Sequence, residues 1–363
     1  MDRNTLQERA VDILEEKRRL MCCWATGTGK SGVVLKFLQR NPDMNCLIIV
    51  PEQNNIENWR TEFSKFGVPM DITQVACYAS FYKYADTEWD LLVFDEAPHV
   101  DTEKRKAIMR LVQGTYVLAL GAIIDEDEID ALESVYGRFQ INNITLEDAI
   151  EWKILPPPEI NVLHMELDDI RYRHWHKGKS YTDYQMYQLL GRKVDVAVTA
   201  YNDKPNAFSK ARMYRTGGER KRFLGKLKED AIQRLCRRLI SENKRFLCFC
   251  SSIKQAEIIG GENAFTSKTP ASMRLLEKFN NHEIDSLYVV GKLIEGQNLK
   301  DIDAGIIGQI GGTDRITVQM AGRIMRSTKP KIYIPIFDNT KDESFLRTIT
   351  SNISKDYIKH YKF

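Results

Sequence analysis

The sequence lacks the features that would place the protein in a membrane or outside the cell. No apolar run approaches the ~20 residues that cross a bilayer. The amino terminus opens on charged residues, without the basic and then apolar segment of a secretory signal. None of the seven cysteines forms a CxxC pair, so we interpret them as packing residues, with metal or redox chemistry as the alternative. These absences predict a cytoplasmic protein with no membrane partner.

The composition is typical of a folded chain with more than one domain. Its 363 residues exceed the size at which a single core usually keeps growing, and 43% of them are hydrophobic while 28% are charged. The sequence contains no short-period repeat and no low-complexity segment. We therefore expect two domains of ordinary size.

Two series of short apolar segments predict two parallel sheets covered by helices. The predicted strands of the first series are 20–23, 46–50, 72–77, 91–94 and 116–120, with helices at 32–40 and 54–66. The triple proline at 156–158 marks a boundary or an extended linker. The predicted strands of the second series are 246–250, 286–290, 304–307 and 331–336. We expect an α/β fold with one lobe over 1–153, a second over 154–363 and a cleft between them.

The strongest local pattern follows the first predicted strand. Residues 24–31 read WATGTGKS and precede a predicted helix. Glycines let backbone N–H groups face phosphate oxygens, and the helix presents its positive end to the same anion. Lys30 would reach the β- and γ-phosphates, and the Ser31 hydroxyl would ligate magnesium. A glycine-rich turn is the alternative, and Trp24 replaces the first glycine of the general pattern. The predicted nucleotide ligands of the loop are Thr26, Gly27, Thr28, Gly29, Lys30 and Ser31.

A second pattern places two adjacent carboxylates at the end of an apolar strand. Residues 90–97 read DLLVFDEA. Asp95 would hold magnesium through water, whereas Glu96 would orient and deprotonate the attacking water, because strand neighbours point to different sides. An acidic pair at a strand end is otherwise a solvated turn, but the phosphate loop in the same lobe favours the functional interpretation. Ser31 and Asp95 are the predicted metal ligands, and Glu96 and Lys30 are predicted catalytic residues.

With these residues the chain resembles the DEAD/DEAH-box helicases and translocases of superfamily 2. Residues 25–31 resemble motif I, 95–97 resemble motif II, and 47–51 followed by Asn58 and Trp59 resemble motif Ia. The resemblance implies two tandem RecA-like lobes, ATP and Mg²⁺ as cofactors, and nucleic acid as the partner.

The resemblance also assigns roles to single residues of the first lobe. Gln7, upstream of the loop, matches the glutamine that reads the adenine edge in this family; a solvated glutamine is the alternative. Pro51 and Asn58 take the nucleic-acid contacts of motif Ia.

The second lobe carries the sensor of the resemblance. Residues 319–326 read QMAGRIMR and resemble motif VI, in which Arg326 is the predicted arginine finger, with Arg323 and Gln319 beside it. Such an arginine bridges the cleft only while ATP is intact, so hydrolysis releases the closed state. Two arginines on one turn are otherwise a solvated face.

Two further segments resemble motifs IV and V. Residues 246–252 resemble motif IV, and 295–299 (EGQNL) resemble motif V, where Gly296 and Asn298 are predicted to touch the nucleotide. Thr266 is predicted to contact a phosphodiester backbone, and a capping turn explains it equally well.

Two departures from the family pattern bear on mechanism. Motif III usually offers hydroxyls after the fifth strand, whereas residues 120–123 read LGAI. In motif II the histidine is His99, one residue late and behind Pro98. The first departure puts the usual coupling of hydrolysis to strand separation in doubt, and the second puts in doubt the bridge that the histidine makes to the second lobe in this family.

Positive charge is concentrated between residues 171 and 228. This segment holds fifteen Lys and Arg against four acids, with aromatic residues interleaved. A basic surface with stacking side chains suits single-stranded nucleic acid, whereas an ordinary helical insert with buried aromatics is the alternative. We therefore expect a basic insert in the second lobe that contacts nucleic acid or a protein partner. Its predicted nucleic-acid contacts are Arg212, Arg215, Arg220, Lys221 and Arg222.

The leading hypothesis is a nucleic-acid-stimulated ATPase that moves along or remodels DNA. An RNA helicase with the same chemistry is the first alternative. A slow, ATP-gated nucleic-acid clamp without processive unwinding is the second. The preference for DNA is an analogy with restriction-subunit and fork-remodelling motors.

Overall fold

The computed structural model describes residues 1–97, 103–267, 272–290, 299, 301–310, 324, 329–351 and 353–363. Two compact units divide the chain, one over Met1–Pro157 and one that begins at Pro158. The division therefore lies within the triple proline, a few residues beyond the boundary expected after 153.

A parallel sheet forms the centre of the first unit. Its strands are β1 Arg19–Trp24, β2 Cys46–Val50, β3 Thr73–Cys77, β4 Trp89–Phe94, β5 Gly114–Gly121 and β6 Gln140–Ile144. They are ordered β3-β2-β4-β5-β1-β6. The helices of this unit are α1 Arg3–Lys17, α2 Ser31–Arg40, α3 Gln53–Phe66, α4 Glu103–Met109, α5 Glu126–Tyr136 and α6 Leu146–Glu151. Every residue of β2 is buried, which explains why its sequence, CLIIV, is apolar without alternation.

A second parallel sheet forms the centre of the second unit. Its strands are β7 Glu159–Met165, β10 Phe246–Cys250, β11 Ala264–Phe265, β12 Ser286–Val290, β13 Ala304–Ile307, β14 Lys331–Phe337 and β15 Ile358–Lys362. They are ordered β11-β12-β10-β13-β14-β7-β15. The helices are α7 Asp183–Asp203, α8 Ala207–Leu227, α9 Glu229–Ser241, α10 Ile253–Gly260, α11 Ser272–Asn280 and α12 Lys341–Thr350. Two parallel sheets in one α/β chain confirm the predicted fold class.

The basic segment lies between β7 and α9 of the second unit. It consists of an antiparallel hairpin, β8 His174–His176 and β9 Lys179–Tyr181, followed by the packed helices α7 and α8. The end of α8 is tied to α10, since the Gln255 side chain donates a hydrogen bond to the Gly225 carbonyl at 2.6 Å. A Cβ on Gly225 would lie 2.3 Å from Ser251 Oγ, so this close approach requires glycine.

Two observations bear on the cysteines and on membranes. All seven cysteines are free thiols, and all except Cys77 are buried. Within the described ranges, no helix combines the length and apolar character needed to cross a bilayer.

Candidate functional site

The loop between β1 and α2 has the backbone of a phosphate cradle. Gly27 and Gly29 both have a φ of +92°, a conformation that side chains strongly disfavour. Thr28 is buried and its hydroxyl donates to the Ala25 carbonyl at 2.7 Å, which holds the turn from inside. The Lys30 ammonium donates to the Trp24 carbonyl at 2.9 Å. This hydrogen bond connects the two ends of the loop.

Gln7 is built into this loop from α1. Its side chain is 5% exposed, and Nε2 donates to the Gly29 carbonyl at 2.8 Å. A Cβ on Gly32 would lie 2.1 Å from that nitrogen. Gly32, in the first turn of α2, therefore makes room for the glutamine, and sequence reasoning did not single it out.

Trp24, which stands where the general pattern has glycine, is a packing residue. It ends β1, its side chain is fully buried, and its indole N–H donates to Asn142 Oδ1 of the neighbouring strand at 2.7 Å. The ring thus belongs to the sheet, and the glycines that shape the loop are Gly27 and Gly29.

The acidic pair lies directly after β4. Asp95 is held on both oxygens: Oδ2 accepts the Trp59 indole N–H at 2.9 Å, and Oδ1 accepts the Glu96 amide at 3.1 Å. Burial, and next the charge of Glu96, raises the pKa of Asp95 to about 6, against the opposing effects of the Trp59 hydrogen bond and the Lys30 charge. Lys30 and Asp95 are therefore close enough to interact electrostatically.

Glu96 combines two unusual properties. Its φ is +49°, in the left-handed region that costs a non-glycine residue energy. Its Oε2 atom is buried and has no hydrogen-bond partner among the described residues. A buried carboxylate oxygen without a partner is expensive unless a ligand or water completes it. The arrangement suits a base that acts on a bound water.

The donor set fits magnesium. Ser31 and Asp95 both offer oxygen atoms, and the described residues contain no group of three or more His, Cys, Asp or Glu that could enclose a metal. Magnesium is usually held by one or two protein oxygens together with phosphate oxygens and waters. The residues present therefore fit magnesium brought with a nucleotide better than a metal caged by protein alone.

Comparison with known proteins gives a family match within the first lobe and a structural match over nearly the whole chain. Residues 1–78 match the family model described as Type III restriction enzyme, res subunit. The Hef helicase domain of Pyrococcus furiosus, at 13% identity, aligns over 95% of this chain and 97% of its own with a TM-score of 0.58. The chain therefore shares the fold of the Hef helicase domain over nearly its whole length.

Two further comparisons complete the picture. The SWI2/SNF2 ATPase core of Sulfolobus solfataricus, solved with dsDNA, shares 13% identity over 98% of this chain and 90% of its own, with a TM-score of 0.40. No curated protein matches the chain. The resemblance to superfamily 2 that the motifs indicate is confirmed by the family model and the fold.

The residues resembling superfamily 2 motif Ia lie at the carboxyl end of β2 and on α3. Pro51 and Asn58 are half-buried, and the chain places them on the same side of the first sheet as the phosphate loop, since parallel strands end at one edge. The sequence analysis placed Trp59 in motif Ia without giving it a role, because a tryptophan on an amphipathic helix is usually core, whereas the structure bonds its indole N–H to Asp95.

The second-lobe motifs of superfamily 2 are described only in part. Thr266 follows β11 and is 2% exposed, so its hydroxyl does not lie on the open surface of this unit. The remaining predicted residues of motifs V and VI lie outside the described residues: Gly296, Asn298, Gln319, Arg323 and Arg326. Pro98 and His99 of motif II, in the first lobe, also lie outside them.

The predicted contacts of the basic segment differ in exposure. Arg212, Arg215 and Arg222 are exposed on α8, whereas Arg220 and Lys221 are half-buried. Spacings of three and seven residues place the three exposed arginines on one face of the helix. Burial lowers the pKa of Lys221, and the nearby Lys228 adds to that effect. The exposed face of α8 is thus the better candidate surface for an anionic partner.

Proposed function

We propose that this protein is an ATP-dependent nucleic-acid helicase or translocase whose track is DNA. The observation that carries the proposal is the juxtaposition of Lys30, in a loop with two positive-φ glycines, and the half-buried pair Asp95 and Glu96. A cationic phosphate cradle beside two carboxylates suits phosphoryl transfer to water.

Each site residue of the first lobe has a separate role in this proposal. The loop amides and Lys30 hold the phosphates, Ser31 and Asp95 hold the magnesium ion, and Glu96 accepts a proton from the attacking water. Magnesium would neutralise phosphate charge when bound. Arg326, assisted by Arg323 and Gln319, would report the γ-phosphate from the second lobe, and Gly296 and Asn298 would contact the nucleotide there.

A pocket beside the loop is a candidate site for the nucleobase. It has a volume of about 580 Å³ and is lined by Met1, Asp2, Arg3, Trp152, Lys153 and Ile154. The Arg3 guanidinium joins it to the loop by donating to the Gly27 carbonyl at 3.1 Å. With Gln7 also bonded to Gly29, base and phosphate contacts would share one piece of backbone.

Two observations support nucleic acid, and DNA in particular, as the partner. The family that matches residues 1–78 is named for a restriction enzyme. The exposed arginines of α8 lie beside Tyr214, which is 65% exposed and able to stack on a base. Separately from the partner, all seven thiols are free, which suits a protein that works in the reducing cytoplasm.

ATP turnover, measured alone and with single-stranded DNA, duplex DNA or RNA, tests the proposal. We expect low basal turnover and strong stimulation by DNA, with Glu96→Gln inactive in every arm. Stimulation by RNA alone would make the protein an RNA helicase. Stimulation by DNA without displacement of a labelled strand or movement past a roadblock would make it a clamp. Absence of turnover in all arms would refute the ATPase assignment.

A further inference from the structure

We propose that Trp59 is a positioning residue for Asp95, the proposed magnesium ligand. Through this contact from α3, magnesium binding would respond to nucleic acid. The inference rests on the proposed function, because it takes Asp95 as a magnesium ligand and α3 as part of the nucleic-acid track. It concerns the first unit alone.

The orientation of Asp95 is set by two donors on opposite oxygens. Trp59 Nε1 lies 2.9 Å from Oδ2, and the Glu96 amide lies 3.1 Å from Oδ1. One bond on each oxygen fixes rotation about the carboxylate axis, and each oxygen keeps a lone pair. The Glu96 amide belongs to the same turn as Asp95, so Trp59 is the donor that comes from another element.

The Trp59 indole is suited to orient Asp95 because it is buried and can only donate a hydrogen bond. Trp59 is 4% exposed, and its N–H is a donor only. The ring packs near Phe63, with ring centroids 6.2 Å apart. A phenylalanine at 59 would keep most of this packing and remove the donor, which separates the two contributions of the side chain.

The same helix also approaches the other predicted magnesium ligand. Glu62 lies three residues after Trp59, on the same face of α3, and its Oε2 is 3.5 Å from Ser31 Oγ. That distance is at the outer limit of a hydrogen bond. Both oxygen ligands therefore have a neighbour on α3, and the contact to Asp95 is the tighter of the two.

The position of α3 connects these contacts to nucleic acid. Asn58, the predicted track contact, precedes Trp59 in the chain. Asn58 and Trp59 lie on the same turn of α3. A nucleic-acid strand that binds Asn58 and shifts or fixes α3 therefore also affects the hydrogen bond between Trp59 and Asp95. Magnesium affinity and nucleic-acid affinity then become coupled in both directions.

The test compares two tryptophan variants with opposite expectations. Trp59→Phe deletes the donor to Asp95, whereas Trp89→Phe deletes an equally buried indole N–H that has no hydrogen-bond partner in the described part of the chain. The readout is the Mg²⁺ concentration that gives half-maximal binding of a fluorescent ADP, with and without single-stranded DNA. No hydrolysis is needed.

We expect Trp59→Phe to raise the Mg²⁺ midpoint about 10- to 100-fold, as loss of a residue that orients a metal ligand usually does. Single-stranded DNA should lower the midpoint in wild type and in Trp89→Phe, but not in Trp59→Phe. In an Asp95→Asn background, Trp59→Phe should add little. Nucleotide binding without magnesium should be alike in all variants, which a general packing defect would not allow.

Two outcomes overturn the inference without touching the proposed function. One is equal Mg²⁺ midpoints in Trp59→Phe and Trp89→Phe. The other is an unaltered response of the Trp59→Phe midpoint to DNA. If Trp59→Phe does not fold, Glu62→Gln takes its place, and an unchanged Mg²⁺ midpoint there overturns the role of α3. Failure of the wild type to bind ADP in the presence of magnesium would instead refute the proposed function.

Discussion

Lys228 and Asp342 form an ion pair inside the second unit, with Nζ and Oδ2 2.7 Å apart and both side chains essentially inaccessible to solvent. Lys228 lies at the junction of α8 and α9, and Asp342 lies in the first turn of α12. Burial lowers the pKa of Lys228 although Asp342 opposes the shift. The pair therefore joins the carboxyl end of the basic segment to α12.

We predict that replacing Asp342 lowers the free energy of unfolding more than replacing Lys228 does. Asp342 also accepts hydrogen bonds from Gln309 Nε2 and the Phe337 amide, at 3.0 and 3.2 Å, so Lys228→Met leaves it partly satisfied. Asp342→Ala leaves the buried Lys228 ammonium without its counter-charge. It should lower the free energy of unfolding, measured with urea, by about 3–5 kcal/mol. The double variant should lose less unfolding free energy than the two single variants lose together. Equal and additive losses would show that the two charges do not interact.

We predict that Lys30 and Glu96 support hydrolysis by different routes. Lys30→Ala should weaken binding of ATP, because the ammonium that reaches the phosphates is lost. Glu96→Gln should keep binding and lose hydrolysis by about 10²–10⁴-fold, because it alters only the group that acts on water. Equilibrium binding of labelled ATP and single-turnover hydrolysis measure the two effects. Wild-type turnover in Glu96→Gln would remove Glu96 as the base.

We predict that Gly32→Ala mimics Gln7→Ala. The added Cβ would meet Gln7 Nε2 at 2.1 Å and push the side chain away from Gly29. If Gln7 reads adenine, each variant should reduce the preference for ATP over GTP by about tenfold, the value of one lost hydrogen bond. Competition against fluorescent ADP gives the preference. Gly191→Ala is the control, since that helical glycine has open space around its Cβ position. A preference that persists in Gln7→Ala would assign base recognition elsewhere.

We predict that the exposed face of α8 sets the salt dependence of DNA binding. Replacing Arg212, Arg215 and Arg222 with Gln should lower affinity and flatten the plot of log K against log salt by roughly 0.7–0.9 per lost phosphate contact. Basal ATP hydrolysis should survive, because the phosphate loop belongs to the first unit. The matched control removes three exposed arginines of α9, namely Arg234, Arg237 and Arg238. An equal change in both triple variants would indicate a general charge effect and no docking at α8.

Apolar composition made most central strands predictable. The segments 46–50, 246–250, 286–290 and 304–307 were expected as strands with the bounds that the structure shows. The strand β6 was missed because its sequence, QINNI, lies at a sheet edge and is largely polar and exposed. The strand β15 was missed for the same reason, since IKHYK pairs on one side only in the second sheet. Edge strands need less apolar surface, so composition does not mark them.

The candidate site was predictable where a residue type is itself the chemistry. The glycines, lysine and acids of the candidate nucleotide site could be proposed from their order and spacing alone. The contact between Trp59 and Asp95 could not, because it joins a helix to a strand end 36 residues apart and depends on tertiary packing. The same holds for Gly32, whose role depends on the side chain of Gln7 from another helix.

The place of β7 in the second sheet has a consequence for biosynthesis. Both strands that pair with β7, namely β14 and β15, come from residues 331–362. The first sheet, by contrast, draws all its strands from residues 19–144. During translation the first unit can close while β7, apolar along most of its length, waits for more than a hundred further residues to leave the ribosome. The nascent second unit is therefore the part of this protein that most needs chaperone protection before it is complete.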